Sequence, residues 1–229
     1  MSNNVSTNCT IEEFQSFIRN VYETPDDRLF SLSNLLSNQG RFTMRALKGI
    51  RKKDKNKLIL NLMLSFSWLM AVANRLHIDV EPALWNRFPY LCSYCGKKPC
   101  VCKKIKTIKR INVVGDNSLK PKTIKEYQKM FSQIYPPKGR SLPDSGVHLA
   151  EETGEVSEII HFFMGEHRPA QFHEITDEIA DWVSCMYGVA NSGEIDVLKE
   201  LSKMYHNNCH ICHKAPCTCK FTYVAKFKS

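Results

Sequence analysis

The sequence predicts an all-α fold built as a tandem pair of helical bundles, each followed by a short four-cysteine loop. Apolar residues recur at three- and four-residue spacings, and no segment shows sustained period-two alternation. The chain also repeats itself. TIEEFQSFIRNVY (10–22) matches TIKEYQKMFSQIY (123–135), and VAN (72–74) and IDV (78–80) recur at 189–191 and 195–197. CSYCGKKPCVC (92–102) recurs as CHICHKAPCTC (209–219), at the same 117-residue offset as VAN and IDV. So many matches in one register are poorly explained by chance.

The repeats divide the 229 residues into 1–102, a basic linker at 103–122 with little apolar periodicity, 123–219, and a tail at 220–229. Ile11, Phe14, Phe17, Ile18 and Val21 predict a helix over 10–23, and Thr10 with Glu13 fits a capping box. Counterpart helices are expected at about 27–48, 55–76 and 79–88. The second repeat gives 144–164, 172–191 and 194–207, with Asp144 as a cap and Pro169 and Gly193 as punctuation. Helices joined this closely should pack antiparallel.

An apolar content of 43% suffices for a sizeable core. No stretch reaches about eighteen uninterrupted apolar residues, and MSNNVSTNCTIEEF lacks the pattern of a signal peptide, so a cytosolic (cytoplasmic) chain with no membrane partner is expected. The net charge of +9 is concentrated in KGIRKKDKNK (48–57) and in the linker. Such runs are solvated surface or attract polyanions, namely nucleic acid or nucleoside polyphosphates.

Against that basic background, HLAEETGEVSEII (148–160) carries Glu151, Glu152, Glu155 and Glu158. Glu152 and Glu155 stand three apart, as do Glu178 and Asp181 in DEIADW (177–182), so each pair lies on one face of its helix. Antiparallel packing would bring the four carboxylates together, flanked by Val156, Ile159, Ile160, Ile179, Val183 and Met186. Four such groups repel one another unless a cation neutralises them. Hard oxygen ligands suit Mg²⁺ or Mn²⁺, which bridge readily to substrate phosphates. The plainer alternative is exposed acid on amphipathic helices, but these acids sit beside apolar residues rather than opposite them.

E-E-x-x-E followed by E-x-x-D on helices of this length resembles the all-α nucleoside triphosphate pyrophosphohydrolases, the MazG-like group with the dimeric dUTPases and dCTP pyrophosphatases. The resemblance covers residues 123–208, where LSKMYHN (201–207) is similar to the family's Lys-Met-x-x-Asn. It implies that Glu152, Glu155, Glu178 and Asp181 hold Mg²⁺ or Mn²⁺ and that Glu155 or Glu151 is the catalytic base. It also implies that Lys203 and Asn207 contact the phosphates of a nucleoside triphosphate substrate. An NTP or dNTP would be cleaved between its α and β phosphates, giving a monophosphate and pyrophosphate. The arginine that the family carries just beyond that Asn is replaced by Asn208 and Cys209. Arg168, His167 and the first repeat's lysines are candidate substitutes.

The first repeat has lost the acids. Asn38 and Arg41 align with Glu152 and Glu155, and Asn61 and Leu64 with Glu178 and Asp181, so no catalytic metal is expected there. LILNLMLSFSWLMAVA (58–73) nevertheless keeps an apolar scaffold. The resemblance implies a fused pseudo-dimer in which the degenerate copy lends pocket residues such as Trp68, Arg41 or Lys48. A homodimer of two chains, through an apolar face containing Trp85, Phe88 and Tyr90, is a further expectation.

Cys92, Cys95, Cys100 and Cys102, and likewise Cys209, Cys212, Cys217 and Cys219, follow C-x2-C-x4-C-x-C. In a cytosolic chain this pattern points to two structural Cys₄ zinc sites, zinc-knuckle-like, with an iron–sulfur cluster as the alternative. Pro99 and Pro216 help each loop turn back, and His210 and His213 lie inside the second. The loops either staple the last helix of each repeat or contact nucleic acid. A zinc-stabilised nucleic-acid-binding or interaction module is accordingly the alternative function. Cys9 and Cys185 are left over, with Cys185 expected as a small buried apolar residue.

Overall fold

The computed structural model describes residues 4–105, 110, 111 and 113–227. Residues 106–109 and 112 of the basic linker, and 228 and 229 of the tail, lie outside the described residues. Among the described residues there is no strand. The helices are α1 (Ile11–Leu29), α2 (Leu32–Lys52), α3 (Lys55–Arg75), α4 (Val80–Arg87), α5 (Cys102–Ile105), α6 (Ile124–Ile134), α7 (Leu142–Glu166), α8 (Pro169–Ser192), α9 (Val197–Met204) and α10 (Phe221–Lys226), with a 3-10 turn at Asn117–Leu119.

Local chemistry sets the helix ends. Thr10 and Thr123 form matching capping boxes with Glu13 and Glu126. α7 is capped by Ser141 and not by Asp144, whose backbone N–H donates to the Ser141 hydroxyl at 3.1 Å. Asp144 instead occupies the first turn, where its charge favours the positive end of the helix. α1 runs past residue 23 and through Pro25. Proline has no N–H to offer the Val21 carbonyl one turn earlier. The Cys217 N–H donates to that carbonyl at 2.7 Å. α6 ends at Ile134, because Tyr135 precedes a proline and is driven out of the helical region.

The chain forms two compact units that cut across the sequence repeats. Unit 1 comprises residues 1–79 and 196–229, and unit 2 comprises residues 80–195. Each unit therefore takes its first three helices from one repeat, and its fourth helix and cysteine-bearing loop from the other. The repeat boundaries at 102 and 123 are real in sequence but do not bound the compact units.

In unit 1, α2 and α3 form a hairpin through Lys53 and Asp54, with α1 and α9 packed on α3. The hairpin is tight at Gly49, where a Cβ would come within 2.6 Å of the Leu58 backbone nitrogen. Phe14 stacks on Phe66 at 5.3 Å, and Tyr205 of α9's C-terminal end packs on Phe17 at 5.2 Å. The Tyr205 hydroxyl donates to Ser67 Oγ at 2.7 Å, so its polar tip is satisfied inside the core. α3 is long and apolar enough to cross a membrane by composition, but its most apolar window is 72% buried inside the structure.

Unit 2 repeats the plan. α7 and α8 form the hairpin, and α6 and α4 pack on α8. Phe88 at the end of α4, the repeat counterpart of Tyr205, packs edge-on against Phe131 at 5.3 Å. Trp85 and Phe88 are buried in this core, and Trp85 Nε1 donates to Asn117 Oδ1 at 2.8 Å. Of the expected oligomerisation face, Trp85 and Phe88 are thus consumed by their own unit, whereas Tyr90 is half-buried.

One polar clamp appears in both units. Gln15 Nε2 donates to Asn74 Oδ1 at 3.1 Å and to the Ile78 carbonyl at 2.7 Å. Gln128 Nε2 donates to Asn191 Oδ1 at 3.1 Å and to the Ile195 carbonyl at 2.7 Å. These pairs join the first helix of each repeat to the end of its third, and they explain why VAN and IDV recur.

Candidate metal centres

The α7–α8 hairpin of unit 2 carries the acids. Trp182 Nε1 donates to Thr153 Oγ1 at 2.9 Å, and Thr153 Oγ1 donates to the Leu149 carbonyl at 2.7 Å. Both bonds are buried and fix the rotation of one helix against the other. Glu152 and Asp181, the sequence neighbours of Thr153 and Trp182, are thereby turned to one side.

Carboxylate oxygens of Glu152, Glu178 and Asp181 lie within 4.8 Å of one another, a grouping that can hold a metal ion. Glu155, expected as a fourth ligand, is exposed and stands outside this group of three, though its charge helps raise Glu178. Burial, then the neighbouring acids, pushes Glu152 up to about 8 and Glu178 up to about 7. Burial also raises Asp181, to about 6, against the opposing pull of Arg110. Glu152 Oε2 and Glu178 Oε2 are buried without a hydrogen-bond partner among the described residues. A buried carboxylate oxygen left so is costly unless it is protonated or bound by a cation.

Two arginines that sequence reasoning did not single out complete the site. Arg87 of α4 grips Asp181 with two bonds, Nε to Oδ1 at 3.1 Å and Nη2 to Oδ2 at 2.7 Å, while its Nη1 meets Asp177 at 2.7 Å. Arg110, from the basic linker, donates through Nη2 to Asp181 Oδ2 at 2.7 Å. Its guanidinium lies over the Tyr94 ring at 4.3 Å. Tyr94 belongs to the cysteine loop of this unit. The run of lysines around Arg110 hid it, and only the absence of the family's arginine signalled that a basic residue was owed from elsewhere.

The other predicted residues fall as follows. Glu151 is exposed and pairs with His148 Nδ1 at 2.9 Å. Lys203 and Asn207 belong to unit 1, where both are exposed and Lys203 Nζ pairs with Glu200 at 2.7 Å. The fourth helix that packs on α8 is α4, and its Arg87 stands beside the acids. Trp68, Arg41 and Lys48 are also in unit 1: Trp68 packs edge-on against Phe30 at 5.4 Å, Arg41 donates to the Val224 carbonyl at 3.1 Å, and Lys48 is exposed. Arg168 pairs with Glu166 at the α7–α8 turn. His167 caps α7 in the left-handed region.

Both cysteine sets converge. Cys92 and Cys102 Sγ are 3.6 Å apart, Cys95 and Cys100 Sγ 3.9 Å. In the second set Cys209 and Cys219 are 3.9 Å apart, Cys212 and Cys217 3.8 Å, and Cys217 and Cys209 3.5 Å. A tetrahedral ion with about 2.3 Å bonds to sulfur requires S···S edges of about 3.8 Å. Each set can therefore hold one such ion. A hydrogen bond from Cys217 lowers the Cys209 thiol below its ordinary range. His210 is engaged with the Tyr22 hydroxyl at 3.3 Å and stands outside the sulfur group. The two loops share their turn, with Gly96 N–H to Cys92 O and His213 N–H to Cys209 O both at 2.9 Å. Cys185 is half-buried, and burial holds its thiol well above the ordinary range.

No family model, curated protein or solved structure matches the chain.

Proposed function

We propose that the protein is a Mg²⁺-dependent (or Mn²⁺-dependent) nucleotide pyrophosphohydrolase, with its active site in unit 2. The convergence of Glu152, Glu178 and Asp181, with two buried carboxylate oxygens lacking partners, carries this reading. The resemblance of the acidic motif to MazG-like enzymes supplies the reaction class. The substrate in this reading is an NTP or dNTP, cut between its α and β phosphates.

Glu152 and Glu178 would hold the dication, with Asp181 offering the lone pair on Oδ1 that Arg87 leaves. A bound Mg²⁺ neutralises phosphate charge and lowers the pKa of a coordinated water. Glu155, one turn from Glu152 on α7 and exposed, with its charge acting on Glu152 and Glu178, is our assignment for the group that accepts the water's proton. Glu151 is less suited, because its carboxylate is spent on His148. The apolar residues Val156, Ile160, Ile179 and Val183 are all buried behind the acids and keep the α7–α8 pair rigid.

Each Cys₄ set is assigned a structural zinc ion. All four ligand positions are filled by protein, which leaves no open position for catalysis.

Product analysis on a panel of NTPs and dNTPs with Mg²⁺ tests the function. Monophosphate and pyrophosphate should appear with the wild type and disappear in Glu155→Gln and Glu178→Gln. A folded, metal-loaded wild type that releases nothing from any member of the panel would overturn the proposal.

A further inference from the structure

Arg87 and Arg110 reach the acidic cluster from outside the α7–α8 hairpin, and we infer that they form the phosphate-binding half of the site, gripping the triphosphate of the nucleotide. The inference rests on the reading of the cluster as a dication site.

Three observations carry it. The first is donor capacity. Arg110 uses Nη2 on Asp181, whereas its Nη1 is buried and has no hydrogen-bond partner among the described residues. A buried guanidinium donor without a partner is costly, and an oxyanion is the ligand that its forked geometry fits best.

The second is restraint. Arg110 is held between the Asp181 carboxylate and the face of Tyr94, and Arg87 is fixed by three bonds to Asp177 and Asp181. Neither side chain is a loose surface charge, so little rotamer freedom remains to be lost on binding.

The third is an internal comparison between the two copies. At the 117-residue offset Arg87 corresponds to Met204 and Arg110 to Phe227. In unit 1, where Leu64 stands in the place of Asp181, Phe227 packs on Phe42 at 6.2 Å and lines an apolar pocket that includes Leu64. Arg110 and Phe227, at equivalent positions beyond the two cysteine loops, thus each pack within their own unit, and the side chain at that position changes from apolar to basic together with the acids. A generic solvated charge would have no reason to follow them.

Binding of inorganic tripolyphosphate in the presence of Mg²⁺, measured by calorimetry on the full chain, tests the assignment without needing the base. Arg110→Ala should weaken that binding by on the order of tenfold to a hundredfold, the loss of a charge-assisted hydrogen bond, and Arg110→Lys should recover part of it. Mn²⁺ binding without phosphate should be undiminished in Arg110→Ala, because removing a cation from an acidic cluster does not weaken its hold on a dication. Arg87→Lys should show the same split. Wild-type tripolyphosphate affinity in Arg110→Ala and Arg87→Lys would overturn the inference and leave the arginines as neutralisers of buried acid. Equal loss of Mn²⁺ and tripolyphosphate binding would also overturn it. A wild type that binds neither Mn²⁺ nor tripolyphosphate would remove the metal-site reading and this inference together.

Discussion

The Cys217 amide donates to the Val21 carbonyl at 2.7 Å, closing a gap that Pro25 leaves in α1. The counterpart bond runs from the Cys100 amide to the Ile134 carbonyl at 2.8 Å. Each cysteine loop therefore docks on the first helix of the other repeat, and each compact unit is assembled from both. Cleavage of the linker between residues 106 and 109 should then leave the two fragments associated. Gel filtration after limited proteolysis should show both fragments in one peak without denaturant, whereas separate elution would contradict the exchange of α4 and α9.

The cysteine loops should each carry one ion, two per chain. Elemental analysis of the purified protein should give two zinc ions, falling to one in Cys100→Ser or Cys217→Ser. Chelation should lower the thermal midpoint substantially, since a loss of only about 5 kcal/mol shifts a protein of this size by roughly 10–20 °C. An unchanged midpoint after verified zinc removal would show the loops to be dispensable for folding.

The acids give the dication-free protein a definite pH dependence. Glu152 and Glu178, pushed up to about 8 and about 7, hold protons in the folded state where the unfolded chain, near 4.5, has already released them. The folded state then binds more protons than the unfolded one, so stability falls as pH rises between about 4.5 and about 8. Melting curves from pH 6 to 8.5, with zinc retained, should show a falling midpoint that flattens in Glu152→Gln. Saturating Mn²⁺ should reverse the trend, because the ion binds the deprotonated carboxylates. A midpoint that rises across this range without Mn²⁺ would contradict the assigned burial of these acids.

Gly49 should not tolerate a side chain. A Cβ there meets backbone of Leu58 at 2.6 Å, and backbone cannot step aside as a flexible side chain would. Gly49→Ala should destabilise the protein by about 1–3 kcal/mol in denaturant titration, despite alanine's better helix propensity. A neutral or stabilising outcome would mean that the α2–α3 hairpin is looser than described.

The repeated glutamine clamp should be strongly coupled. Gln128→Ala removes the donor to the part-buried acceptors at Asn191 and Ile195 and should cost about 0.5–1.5 kcal/mol. Adding Asn191→Ala should cost less than the two single changes combined. Strict additivity would argue against the bond.

Much of this architecture was legible in the sequence, for identifiable reasons. The three- and four-residue apolar spacing of Phe14, Ile18 and Val21 needs only helix geometry, and the i, i+3 spacing of Glu178 and Asp181 places both on one face whatever the fold. The exchange of the fourth helices was not legible. α4 and α9 occupy equivalent repeat positions, and Phe88 and Tyr205 are both aromatic anchors able to dock on either copy. Periodicity fixes which face of such a helix is buried, not which bundle receives it. That ambiguity is why Arg87, on α4, was not singled out as a neighbour of the acids. Arg110 escaped notice because a single functional arginine in a lysine-rich run has no pattern of its own.

The claim on which the rest depends is that Glu152, Glu178 and Asp181 form a dication site. Mn²⁺ binding followed by electron paramagnetic resonance, on protein whose cysteine loops are already filled with zinc, tests it most directly. One Mn²⁺ or more should bind per chain, with affinity rising from pH 6 to pH 8.5 and lost in both Glu152→Gln and Glu178→Gln. Wild-type protein that binds no Mn²⁺ at pH 8.5, or that binds it equally after both substitutions, would contradict the account.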